Sequence, residues 1–180
     1  MQKLTMAEIE AQNEAQRARF IPQETVIILD NVRSALNVGA VFRTADVFSI
    51  NELGLCGITA QPPSREILKT ALGAIETVKW QYFATTLEAV NYYRQEGYII
   101  LAVEQVKNSI MLHQFAEKAV DFPHKKFAII VGNEVEGVAQ DVIENCDACI
   151  EIPQVGSKHS LNVSVAASIV AWEIQKMYML

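Results

Sequence analysis

Short uninterrupted apolar runs punctuate this chain at intervals. Thr25 to Leu29, Leu53 to Gly57, Tyr98 to Val103, Phe127 to Val131 and Cys149 to Ile152 each carry almost no polar side chain. Runs of this length, rich in β-branched residues, predict strands buried on both faces. Between them the pattern changes to a helical one. Val38, Val41, Phe42, Ala45 and Phe48 share one face of a helix predicted over 36–48. The Pro62-Pro63 turn precedes Ser64, which is suited to cap a helix reaching about residue 72. Residues 78–83 predict an edge strand and 86–95 a helix closed by Gly97. A helical turn is expected over 110–115 and a short helix over 138–146.

The last segment is a strand, a loop containing Pro153 and Gly156, and a long helix for which Ser160 is the expected N-cap. Leu161, Val165, Ile169 and Trp172 recur along that helix as one apolar stripe. Ser164, Ser168 and Ala171 form a second stripe, small enough to admit another backbone. Residues 1–22 form a separate N-terminal helical arm, with capping-box spacing between Thr5 and Glu8 and with Arg17 and Arg19 late in the helix. Residues 23–180 form the main domain.

Apolar strands alternating with helices predict an α/β fold, a mostly parallel sheet with helices on both faces. Such sheets bind ligands at the carboxyl ends of their strands. The polar clusters fall at those ends: Asp30-Asn31, Glu104-Gln105, Gly132-Asn133-Glu134, and Gln154 to Asn162.

Composition narrows the picture. The formal charge is −6, which excludes a broad basic nucleic-acid coat but not a small basic site. No apolar stretch reaches the roughly 18 residues of a membrane span, and the N-terminus lacks a leader's apolar core, so a cytoplasmic location without membrane attachment is expected. The three cysteines include one C-x-x-C pair, Cys146 and Cys149, with no further ligands at zinc spacing; ordinary buried thiols and no metal are expected.

Three clusters carry candidate chemistry. In the first, Asn37 stands at a helix start, and Gly39 and Ala40 leave room beneath the stem of Arg43. In the second, Gly132-Asn-Glu-Val-Glu-Gly137 follows a strand but lacks the pattern of a dinucleotide or nucleoside-triphosphate loop. Its carboxylates suit a cationic ligand. The third is Lys158-His-Ser-Leu-Asn162 at a helix mouth. Taken alone, it also fits a capped helix behind a solvated loop.

In order, Asn37-x-Gly39-x-x-x-Arg43, Gly132-Asn-Glu-x-Glu-Gly137 and Ile152-Pro…Gly156…Ser160-Leu-Asn-Val-Ser-Val-Ala166 resemble the three motifs of the SpoU–TrmH branch of the SPOUT RNA methyltransferases. The resemblance runs over about residues 24–175. It implies a deep C-terminal trefoil knot, an exception to the rule against threaded chains. It also implies a homodimer and S-adenosylmethionine bound in the knot, with no metal. The activity it implies is methylation of a ribose 2′-hydroxyl of tRNA or rRNA. The alternatives are a knotted RNA-binding protein without turnover and a base-methylating relative. Carried over residue by residue, Asn37, Arg43, Glu134, Ser160 and Asn162 form the catalytic set, with the arginine supplied across the dimer. Gly132, Ile152 and Leu161 contact the cofactor through backbone, with Val103 and Glu104 beside them. Gln154 stands where the family usually has Met. Arg33, Arg65, Lys69 and Lys158 are expected to join Arg43 in a basic patch for RNA.

Overall fold

The computed structural model describes residues 2–19, 24–123 and 125–178. Its strands are β1 (Thr25–Asp30), β2 (Glu52–Cys56), β3 (Lys79–Phe83), β4 (Ile99–Val103), β5 (Ile110–Met111), β6 (Phe127–Val131) and β7 (Ala148–Glu151). Its α-helices are α1 (Met6–Arg19), α2 (Ala35–Val47), α3 (Arg65–Ala71), α4 (Thr86–Gln95), α5 (Phe115–Lys118), α6 (Gln140–Ile143) and α7 (Val163–Lys176). The strands form one sheet in the order β3-β2-β1-β6-β4-β7-β5, and every pairing is parallel.

Alternation along the central strands builds two cores. Ile27 and Leu29 face the layer holding Val38, Phe42, Val170 and Ile174 of α2 and α7. Val26 and Ile28 face the opposite layer, with Val90 and Tyr93 of α4 and Val142 of α6. Neighbouring residues of a strand point to opposite faces, so a strand covered on both sides must be apolar throughout. That is why β1, β4 and β6 were legible as continuous runs.

The chain builds outward from β1 to β2 and β3, then crosses to the other half of the sheet. Ligand sites form where such a reversal leaves a crevice at the strand ends. The buried Asp30 carboxylate organises that end of β1. It accepts hydrogen bonds from Thr86 Oγ1 (2.5 Å), Asn31 Nδ2 (2.8 Å) and the Ala139 backbone N–H (3.1 Å), tying together the starts of α4 and α6.

Several elements differ from expectation. Ile110 and Met111 pair with β7, so the predicted helical turn begins as an edge strand and turns helical only afterwards. A two-residue strand is too short for alternation to show. The helix expected over 138–146 is confined to α6. Ser64 occupies the N-cap position of α3, but its side chain makes no capping bond. Asn162, not Ser160, caps α7: its Oδ1 accepts from the backbone N–H groups of Ser164 (2.9 Å) and Val165 (3.4 Å).

At α1, Thr5 and Glu8 form the expected reciprocal cap. All side chains described in that helix are exposed. The expected placements of Arg17 and Arg19 on its last turn lie outside the described side chains, as do Met1 and residues 20–22 of the arm.

Candidate functional site

The carboxyl ends of β4, β6 and β7 open onto a cavity of about 480 Å³. Turns build most of its wall. After β6 the chain makes a tight excursion from Gly132 to Gly137, closed by paired hydrogen bonds between Asn133 and Gly137 (both 3.1 Å). The Asn133 side chain accepts from the Val135 and Glu136 N–H groups (2.9 Å each) and stiffens this turn. Gly132 packs so closely on the returning strand that a Cβ there would lie 1.9 Å from the Gly137 carbonyl carbon. Gly137 adopts φ +71°, a conformation costly for other residues. The opposite wall is the loop from β7 to α7.

Val103, Glu104, Gly132, Glu134, Ile152, Gln154, Ser160, Leu161 and Asn162 all line this cavity. Gln105, Ile150, His159 and Ala166 line it too; the sequence placed Gln105 and His159 in polar clusters, Ala166 in the third motif and Ile150 in a buried strand, but gave none of them a role at the site. The Glu104 carboxylate is committed to protein groups. It accepts from the backbone N–H of Val138 (3.0 Å) and of Gln105 (2.9 Å).

A hydrogen-bonded triad stands at the rim. Asn37 Nδ2 donates to Glu134 Oε1 (2.8 Å), and Asn162 Nδ2 donates to Asn37 Oδ1 (3.1 Å). Glu134 also accepts from the backbone N–H groups of Arg33 (3.0 Å) and Ser34 (3.1 Å), just before α2. Three segments far apart in sequence thus meet in one hydrogen-bonded cluster. Partial burial pushes the Glu134 carboxyl up, but the hydrogen bonds from Asn37 and from backbone N–H groups outweigh it and hold the group below the usual glutamate range.

Arg43 does not line this cavity. It is exposed on α2 and, with Ala40, Thr44, Lys69, Thr70 and Ser168, borders a second cavity of about 470 Å³. The expected role of Gly39 in making room for Arg43 is not what the packing shows. Gly39 is buried against α3, where a Cβ would lie 2.4 Å from the Ile67 carbonyl oxygen. Its small size lets α2 and α3 touch. Arg33, Arg65 and Lys158 are exposed and line neither cavity. None of these five cations forms an ion pair among the described residues.

The apolar stripe of α7 also lies differently from an ordinary core face. Leu161, Val165, Ile169 and Trp172 are 36–46% exposed, while Val163, Ala167, Val170, Ala171 and Ile174 are buried. The small stripe does admit a neighbour: Ser168 Oγ lies 2.7 Å from Thr44 Oγ1 on α2.

Cys56 is buried, but Cys146 and Cys149 are only half-buried. Burial pushes the Cys56 and Cys146 thiols up to about 12. Among the described residues no group of three or more His, Cys, Asp or Glu side chains is arranged to hold a metal ion. No described helix is long and apolar enough to cross a membrane.

The sheet and the cavity at its strand ends define a parallel α/β protein whose pocket is built by three sequence-distant turns. The family model of the SpoU rRNA Methylase family matches residues 24–172, and the chain belongs to that family. An uncharacterized tRNA/rRNA methyltransferase of Borreliella burgdorferi is 32% identical over 155 residues, covering 84% of this chain and 63% of the relative. The curated relatives it matches are longer: the chain spans about three fifths of their length. Among solved structures, an AdoMet-bound rRNA methyltransferase from Sinorhizobium meliloti superposes with a TM-score of 0.75 at 28% identity, over 88% of this chain and 59% of that one. A TrmH/SpoU tRNA modifying enzyme of A. aeolicus shares the fold (TM-score 0.74, 24% identity, 94% of this chain and 84% of that one).

Proposed function

We propose that this chain is an S-adenosylmethionine-dependent methyltransferase acting on a ribose 2′-hydroxyl of tRNA or rRNA. The observation that carries the reading is the Asn37–Glu134–Asn162 triad at the rim of the strand-end cavity. The cavity fits the cofactor on its own chemistry. Glu104, Glu134, Glu136 and Glu151 line it and no Lys or Arg does, which suits a cation and opposes a polyphosphate. Ile150, Leu161, Val163 and Ala166 supply apolar wall for a flat heterocycle. When bound, the cofactor supplies an electrophilic methyl group on a sulfonium.

The chain's own residues hold and orient. Backbone at Gly132, Ile152 and Leu161 is placed to grip the cofactor, with Gln154 in the position the family usually gives to Met. Val103 borders the pocket at the end of β4. Glu134, held below the usual glutamate range, is a poor proton acceptor; it serves to fix Asn37 and the segment before α2. Asn162 and Ser160 present donors and acceptors to the sugar at the mouth of α7. In-line displacement needs such a held nucleophile. Arg43 offers a planar guanidinium with forked donors, so it grips the phosphate beside the target ribose or stabilises the developing alkoxide.

Because Arg43 does not line its own chain's cavity, it acts in the site of a partner subunit. The half-exposed stripe Leu161, Val165, Ile169 and Trp172 supports a homodimer that covers it. The C-terminal segment, whose loop borders the cavity before α7 packs on α2, is read as the trefoil knot of the family. Residues 23–180 are the methyltransferase domain and 1–22 an arm outside it. Arg33, Arg65, Lys69 and Lys158 contact RNA phosphates.

The test is incubation of the protein with methyl-labelled S-adenosylmethionine and total tRNA or rRNA, followed by digestion to nucleosides. A 2′-O-methyl nucleoside that disappears with Arg43→Ala is expected. A base-methylated nucleoside, or binding of RNA without any methyl transfer, overturns the reading. An unchanged rate and pH profile for Arg43→Lys removes the special role of the guanidinium.

A further inference from the structure

The loop that forms one wall of the cavity is sparsely hydrogen-bonded. From Pro153 to Leu161 every residue is exposed. Among the described residues, no backbone group of this stretch joins a backbone–backbone hydrogen bond. Among those residues its one hydrogen bond to the rest of the protein runs from Gln105 Nε2 to the His159 carbonyl oxygen, 3.2 Å. His159 directly precedes Ser160 and Leu161.

The base of that contact is rigid. Glu104 donates its backbone N–H to the Ile150 carbonyl of β7 (3.1 Å), and the Gln105 N–H is tied to the Glu104 carboxylate (2.9 Å). Glu104 also holds the far wall through Val138 (3.0 Å). Two consecutive residues after β4 therefore fasten both sides of the cavity, one through a carboxylate and the other through an amide.

We propose that Gln105 is a positioning residue: its side-chain amide latches the β7–α7 loop at His159 and so sets Ser160 and Leu161 against the cavity. A free loop must be ordered each time ligand binds, and that entropy is subtracted from affinity. The latch orders it beforehand. Asn37, Glu134 and Asn162 are fastened elsewhere, so the latch acts mainly on cofactor affinity and touches turnover only through Ser160, beside His159. This rests on the cavity being the cofactor site.

The experiment uses the full-length protein with Gln105→Ala and Gln105→Glu. The second keeps the shape and removes the donor. Gln105 is exposed, so neither change disturbs the core. Limited trypsin digestion reads the loop directly, because Lys158 precedes His159. In the ligand-free protein both variants are expected to be cut after Lys158 several-fold faster than wild type, with cutting at Lys107 unchanged. Calorimetry with S-adenosylhomocysteine is expected to show roughly two- to tenfold weaker binding, the range of one hydrogen bond. The cofactor KM rises by a similar factor, and kcat falls by a smaller one through Ser160. Equal cutting, or faster cutting with unchanged affinity, overturns the latch and leaves the methyltransferase reading standing. If wild type does not bind S-adenosylhomocysteine at all, the cofactor reading fails and the latch falls with it.

Discussion

Asn162 serves two structures with two different atoms. Its Oδ1 caps α7, and its Nδ2 reaches Asn37. Substitutions should separate these roles. Asn162→Ala loses both and is expected to cost about 1 kcal/mol of stability, the usual worth of such a cap, together with methyl transfer. Asn162→Asp keeps the acceptor and loses the donor. Its stability is expected within about 0.5 kcal/mol of wild type, since Asp caps as well as Asn, while its activity drops as far as that of the alanine variant. Thermal melts and single-turnover assays on the same preparations check this.

Glu134 adds a pH dependence at the same scale. Its folded pKa lies below its unfolded one, so the unfolded chain binds more protons on the acid side. Its contribution is complete above the ordinary glutamate value of about 4.3 and is lost as pH falls from there through the folded pKa. Glu134→Gln should flatten that acid limb in denaturation curves taken from pH 7 downward. Both residues were visible as polar positions at element ends, but nothing local showed that they meet through Asn37.

Among elements, the contact of α2 with α3 decides more than helix propensity does. Alanine is the better helix former, by about 1 kcal/mol over glycine. Yet Gly39→Ala would place a Cβ 2.1 Å from Thr70 Oγ1 and 2.4 Å from a backbone oxygen. Backbone cannot swing aside as a side chain can, so a net destabilisation of roughly 1–3 kcal/mol is expected in urea unfolding. The same packing sets Arg43 beside Lys69. The strands were legible because burial on both faces demands apolar residues at every position. The buried face of α7 was not, because that helix is apolar on most of its circumference and periodicity alone does not choose a side. Its regular stripe turned out to be the half-exposed one, and the smaller Ala167 and Ala171 face the core.

For the whole molecule, the half-exposed face of α7 and the displaced Arg43 make one prediction together. The Trp172 ring lies 5.9 Å from that of Phe48, tilted at 46°, yet remains 45% exposed. Val165→Glu should therefore leave a folded monomer by sedimentation that transfers no methyl group. Mixing inactive Arg43→Ala with inactive Asn162→Ala chains should restore activity, because one site of a mixed dimer regains both residues; no recovery would place Arg43 in its own chain's site. The acidic body with a few unpaired surface cations also predicts RNA affinity that falls steeply between 50 and 200 mM salt, as counterion release requires for roughly six or more phosphate contacts.

What the amino-acid order determined alone is the part of the structure governed by local rules. Apolar runs specify strands that must be covered on both faces, and polar clusters at their ends specify where a ligand can reach backbone. What only the folded chain decided is which of those clusters meet. Asn37, Glu134 and Asn162 are separated by 97 and 125 positions along their two hydrogen bonds. The order of the parallel strands brings them together, and strand order is set by long-range packing that no local pattern encodes.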